Sequence, residues 1–194
     1  MQMNRRMLFR LLVTAFLMGT TVATATAMAG SMDSHDSVMV GGAAMYPSRN
    51  IIQNAVNSKD HTTLVAAVKA AGLVDTLSGP GPFTVFAPTN EAFAALPAGT
   101  VDTLLKPENK ATLIKILTYH VVPGRLSAED LAAKVAAAGG KAELKTVEGE
   151  SITVSKDGDQ WAITDAKGNT AHVTIGNVFQ SNGVIHVIDK VLMP

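Results

Sequence analysis

The sequence predicts an α+β domain. Three observations predict it. Segments with helical spacing of apolar residues dominate as far as residue 140, and alternating apolar–polar segments dominate after it. One apolar run, Phe83-Thr84-Val85-Phe86-Ala87, interrupts the helical half as a buried strand. Helices and strands kept apart in this way pack as helices over an antiparallel sheet or barrel-like sandwich, not as alternating parallel units.

The elements follow in order. Ser48 caps a short helix that carries Ile51, Ile52, Ala55 and Val56. Thr62 or Thr63 caps a second, with Leu64, Val65, Val68 and Ala71 apolar and Gly72 ending it. Leu73, Val74 and Leu77 continue as a further turn, and Ser78-Gly79-Pro80-Gly81 forces a loop. Pro88 stops the early strand. Thr89 then caps a helix holding Phe93 and Leu96, and Val101, Leu104 and Leu105 form another turn. Pro107 opens a helix to about Thr118, with Leu113, Ile114 and Leu117 inward. Tyr119-His120-Val121-Val122 reads as a strand. Ser127 and Asp130 are spaced as a capping box for an alanine-rich helix to Ala138, a solvated element with a narrow apolar stripe.

Strands then follow at Leu144–Val147, Ile152–Ser155, Trp161–Thr164 and His172–Ile175, separated by turns such as Asp157-Gly158. The alternation does not decide which face Trp161 occupies. The last strand runs from Gly183 to Leu192 with apolar residues on both faces, which places it inside the sheet rather than at an edge.

The first thirty residues stand apart. Arg5, Arg6 and Arg10 flank a short apolar run, and small residues lead to Ala27-Met28-Ala29. This is the order of a secretory signal, and the run is short for a membrane span. Residues 1–29 are therefore expected as a signal peptide, 30–47 as a flexible leader and 48–194 as the domain. The arginines are the only charged residues of the signal, so its loss leaves an acidic remainder. The leader holds Met32, His35, Met39 and Met45. Thioethers beside an imidazole suit copper(I), but without a fixed geometry they read as incidental. No metal or other cofactor is expected.

Composition excludes several functions. Hydrophobic residues make up 47% and charged residues 16%, with a formal net charge of zero. The scattered basic residues argue against nucleic-acid binding. There is no cysteine, so disulfides, zinc–thiolate sites and thiol nucleophiles are absent. The nucleophile elbow, the helical zinc motif and the phosphate loop are missing. The histidines at 35, 61, 120, 172 and 186 form no pair at ligand spacing. The expected protein is not an enzyme.

Three stretches carry a family likeness. They are Gly81-Pro82-Phe83-Thr84-Val85-Phe86-Ala87-Pro88-Thr89-Asn90-Glu91-Ala92-Phe93, then Ile116-Leu117-Thr118-Tyr119-His120-Val121-Val122-Pro123-Gly124, then Ser181 to Pro194. In this order and spacing the chain resembles the fasciclin-like domain family, from about Ile51 to Pro194. The resemblance implies a wedge of two β-sheets with N-terminal helices on one side. It also implies a secreted, non-enzymatic module that binds a cell-surface or matrix protein or a polysaccharide, without a membrane role once the signal is gone. The runner-up is a periplasmic protein that binds a small ligand or metal, or serves envelope stress; an unrecognised hydrolase ranks third.

Site expectations follow from the same stretches. Tyr119-His120 matches a dipeptide that animal relatives are thought to use in adhesion, which makes Tyr119 and His120 the binding candidates. The competing reading is a pair packed inside with polar tips on backbone partners. The chain has no Asp-Ile dipeptide and no Arg-Gly-Asp, which sets it apart from integrin ligands. Thr89, Asn90, Asn182, Gly183, His186 and Asp189 are expected as structural polar residues, with Asn182-Gly183 making a turn at positive φ. His186 and Asp189 are three apart in one strand and so face opposite ways.

Overall fold

The computed structural model describes residues 37–194. The signal segment, Met32 and His35 lie outside the described residues.

The domain opens with a hairpin, β1 (Val38–Val40) and β2 (Ala43–Met45), paired Val38 to Met45. This corrects the expectation of a flexible leader across these positions. Gly41 and Gly42 both take positive φ, at 58° and 74°, which suits a tight two-residue hairpin turn. A Cβ on Gly41 would lie 2.4 Å from Ser58 Oγ. Val40 and Met45 turn into the core, while Met39 on the other face is 59% exposed. The two methionines thus cannot share an ion.

Seven helices follow: α1 (Ile51–Ala55), α2 (Thr62–Ala71), α3 (Val74–Ser78), α4 (Asn90–Ala94), α5 (Thr100–Leu104), α6 (Lys110–Tyr119) and α7 (Ala128–Ala137). Asn50, not Ser48, caps α1. Its side chain accepts from Gln53 N at 2.8 Å, while its own N–H donates to Gln53 Oε1 at 3.0 Å. Helix α2 starts directly from a 3₁₀ turn (Lys59–His61), with Thr62 its first residue rather than its cap. Gly72 ends it with φ +74°. Thr89 caps α4, and Ser127 with Asp130 forms the capping box of α7. Pro107 opens a 3₁₀ turn (Pro107–Asn109) that leads into α6.

The main sheet has the order β4-β3-β9-β8-β7-β6-β5. Its strands are β3 (Phe83–Pro88), β4 (Val121–Pro123), β5 (Lys141–Lys145), β6 (Ser151–Asp157), β7 (Gln160–Thr164), β8 (Thr170–Gln180) and β9 (Gly183–Ile188). Strand β9 is internal, as its two apolar faces predict. Its partner β3 runs parallel to it, pairing Phe83 with Gly183 and Ile188 with Pro88, and every other pairing is antiparallel. The all-antiparallel expectation fails there. Strand β8 is long and shifts register twice along β9. The edges draw together where Val147 N donates to Val121 O at 2.8 Å, so the sheet curls almost into a barrel.

Two cores result. Val85, Ala87, Ile185 and Val187 face the helices with Leu64, Val68, Leu113 and Leu117. Phe86 and Ile188 face inside the curl, with Ile152, Val154, Ile163 and Trp161. Alternation along β3 and β9 thus serves two hydrophobic layers. Trp161 is packing, with Lys156 Nζ 4.6 Å from its ring centre. Leu131 and Val135 of α7 are buried in the curl, so its narrow stripe closes the interior and the helix is not merely solvated.

Candidate functional site

The motif residues are built from the α6–β4 junction, the turn before β9 and the start of α4. Tyr119 is the last residue of α6 and His120 its C-cap; the expected strand begins only at Val121. Leu113, Ile116 and Leu117 of α6 pack into the helix-side core, while Tyr119, at the end of the helix, turns into the curl of the sheet with 0% exposure. Its hydroxyl donates to Ser151 O at 3.2 Å and accepts from Ala166 N at 2.9 Å. Burial raises its pKa, opposed by the Ala166 amide.

His120 is equally enclosed. Nδ1–H donates to Ile116 O at 2.8 Å, and Nε2 accepts from Leu192 N at 3.0 Å. One nitrogen must donate and the other accept, so the ring is neutral with its proton on Nδ1. Burial drives its pKa down to about 4. The binding candidates Tyr119 and His120 therefore present no side-chain surface to a partner, and the structure gives them internal joining roles instead.

His186 shows the opposite tautomer. Nε2–H donates to Leu126 O at 2.9 Å, and Nδ1 faces Asn177 N at 3.4 Å. The ring stacks on Phe86 with centroids 5.7 Å apart. Burial lowers its pKa as well. Asp189 accepts from His172 N at 2.7 Å and does not meet His186, so no dyad forms. Its pairing with His172 leaves Asp189 just beyond the strand, which ends at Ile188.

Asn182 links three elements. Oδ1 accepts from Ile51 N at 3.0 Å, and Nδ2 donates to Leu77 O and Gly79 O, each at 2.8 Å. Neither Asn182 nor Gly183 takes positive φ, which corrects the turn argument. Gly183 is required by close approach: a Cβ there would lie 2.1 Å from Phe83 O. Asn90 caps α2 from a distance, with Oδ1 accepting from Thr63 N at 3.0 Å and Nδ2 donating to Lys59 O at 2.8 Å. Thr89 Oγ1 accepts from Ala92 N at 3.2 Å.

Sequence reasoning missed several joining groups. Asp165 Oδ1 accepts from Asn169 N at 2.8 Å, and Oδ2 accepts from Met193 N at 3.0 Å, which ties down the final segment. Asn54 bonds to Tyr46 O at 2.8 Å and to Gln180 Oε1. A turn-like Asp-x-x-Gly-Asn and an amide inside a helix gave no signal beyond local propensity. His61 was also passed over; its side chain is buried beside Ser58. Among the described residues no group of three or more acidic or imidazole side chains is placed to hold a metal, and no helix is long and apolar enough to cross a membrane.

The comparisons agree with this architecture. A family model described as "Fasciclin domain" matches residues 59–194. The chain is 47% identical over 183 residues to Protein sll1483 of Synechocystis, covering 94% of this chain and 92% of that one. It is 37% identical over 160 residues to the cell surface glycolipoprotein MPB83 of Mycobacterium bovis, covering 80% and 64%. A solved FAS1 domain pair from the insect cell adhesion molecule Fasciclin I superposes with a TM-score of 0.67 at 19% identity, covering 81% of this chain and 58% of that one.

Proposed function

This chain belongs to the fasciclin domain family, and from that premise we propose that it is a secreted, non-enzymatic binding module. Its role is adhesion or contact with a protein or polysaccharide of a cell surface or matrix, and residues 1–29 direct its export. The observation that carries the reading is the inward disposition of the motif side chains. Tyr119, His120, Asn182 and His186 each join backbone segments distant in sequence, which leaves recognition to the outer surface. The names of two relatives, a cell surface glycolipoprotein and a cell adhesion molecule, point the same way. Where one domain binds weakly, attachment depends on many copies acting together.

The test is capture from envelope and matrix extracts by the full chain coupled to beads at high and low density. The expected result is capture at high density that free chain competes away. Tyr119→Phe should capture the same material. Absence of any competed capture at high density would overturn the adhesive reading.

A further inference from the structure

The outward face of the curled sheet carries an ordered array of hydroxyls. Along β5 to β8 the inward residues are apolar and fill the curl, from Ala142 and Leu144 to Ala171 and Val173. The residues between them point outward. Strand register sets these outward residues in rows. One row runs Glu143, Thr153, Thr164, Thr170 across the four strands. The row beside it runs Lys141, Ser155, Ala162, His172, and on the other flank Lys145 pairs with Ser151. Strands lie about 4.8 Å apart, and same-face residues follow at about 6.7 Å along each strand, so the array is a regular lattice.

The chemistry of the face narrows its partner. Among the described residues the exposed large apolar side chains are Met39, Val56, Val147 and Phe179, and none belongs to these rows. A protein interface draws its energy from buried aromatic and apolar anchors, which the rows do not offer. Single-stranded nucleic acid asks for a basic groove with aromatic platforms. Here the signs are mixed instead: Glu143 stands between Lys141 and Lys145 on β5, and His172 Nε2 lies 3.1 Å from Asp157. What remains is a nearly neutral lattice of short hydroxyls, each able to donate and to accept. Thr164 and Thr170 share one bond at 3.2 Å. Among the described residues no other side-chain bond engages the hydroxyls of Ser151, Thr153 or Ser155. At its β8 end the middle row meets a groove of about 290 Å³ between Thr170 and α4, lined also by Ala95, Leu96, Asn169 and Lys190. A cavity of about 150 Å³ takes a benzene ring, so this groove has room for a sugar ring.

We propose that this face binds an uncharged polysaccharide, laid along the Thr153–Thr164–Thr170 row with one ring in the groove beside Thr170. This partner class rests on the adhesive reading above and makes it specific. A polysaccharide presents hydroxyls at regular intervals, and each pairs with a Ser or Thr oxygen directly or through one water. Every such bond is worth little net in water. Affinity therefore comes from repetition, along the rows of one domain and across many copies. An acidic polymer is disfavoured, since Glu143 and Asp157 repel it where the lysines attract it.

The test couples the full chain to beads at high density. It offers three uncharged polymers, a β-glucan, a mannan and a galactan, beside alginate as an acidic one. At least one uncharged polymer should be retained and competed away by free chain, and alginate should not be. Thr153→Val with Thr164→Val keeps the branched shape and the strand preference while removing two hydroxyls. The double variant should retain about tenfold less, the equivalent of one net hydrogen bond or slightly more. Retention of no uncharged polymer, stronger retention of alginate, or equal retention by the double variant overturns the proposal. Capture from envelope extracts that the double variant matches leaves the adhesive reading standing and sinks this surface alone. Should the double variant fail to fold, the amide signals of residues 153, 164 and 170 in the ¹⁵N-labelled native chain decide. Retained polymer should shift them, and unmoved signals overturn the proposal.

Discussion

The two sides of the sheet treat polar groups differently. Inside the curl, Tyr119 and His186 sit among Phe86, Val154 and Ile188 with their polar atoms engaged. Under the helices the core is almost wholly apolar, and the amides of Asn54 and Asn182 tie the helical segments to the turns around it. Saturated groups fix one arrangement of chain segments, because breaking any bond strands its partner in low dielectric.

This difference can be broken at points of unequal weight. Gly183→Val should have the largest effect, since even a Cβ collides with the Phe83 carbonyl within the parallel β3–β9 pair. A loss of about 4 kcal/mol or more in a denaturant titration is expected, the range reserved for severe backbone and packing conflict. A mild loss would mean that the central pairing is looser than described. Asn182→Ala comes next. It strands the Ile51 amide and the Leu77 and Gly79 carbonyls, at about 3 kcal/mol in total given about 1–3 for each buried unsatisfied group.

Acid should act through the same saturated groups. His120 is neutral when folded, with its pKa lowered from 6.5 to about 4, and His186 and His61 shift in the same direction. Between those values the unfolded chain binds more protons than the folded one, so stability rises with pH. The contribution of His120 is whole above pH 6.5 and falls as pH drops toward about 4, by about 3 kcal/mol across the window at about 1.4 per pKa unit. His120→Gln should flatten that slope in titrations at a series of pH values. If it leaves the slope unchanged, protonation of His120 is not what acid acts on.

Tyr119→Phe should have the smallest effect on the saturated side. It removes the hydroxyl shared by Ser151 and Ala166 and should cost about 1–2 kcal/mol, with captured material unchanged. Lost capture at unchanged stability would turn Tyr119 into a contact residue. On the helical side, His61→Phe sharpens the comparison from below. It removes the ring's contacts with Ser58 and with the Ala87 carbonyl and should cost about 1 kcal/mol.

Much of this architecture was legible in sequence because it is local. The Thr89 and Ser127 caps, the Gly72 stop and the internal place of β9 follow from spacing and side-chain chemistry. Where the reading failed, the cause was a distant partner. Asn90 begins α2 from beyond β3, which no spacing near Thr62 records. Tyr119 closes α6 with its ring in the curl, a core separate from the one that buries Leu113 and Leu117, although Tyr-His-Val-Val has strand character. Gly41-Gly42 resembled loose chain, since three-residue strands carry too little alternation to show. The site followed the same rule. Motif residues were visible as types, but only the packed fold revealed that they face inward.

The parallel pairing of β3 with β9 also bears on the order of assembly. Strand β9 lies between β3 and β8, yet it follows every other strand in the chain. The middle of the sheet therefore stays open until the end of the domain is in place. Helices α1 to α6 can form early, but the apolar faces of β3 and β8 await a late arrival. Long-range pairing of this kind slows folding and leaves strand edges exposed meanwhile. The folding chain is most open to wrong pairing just before its final strand takes its place.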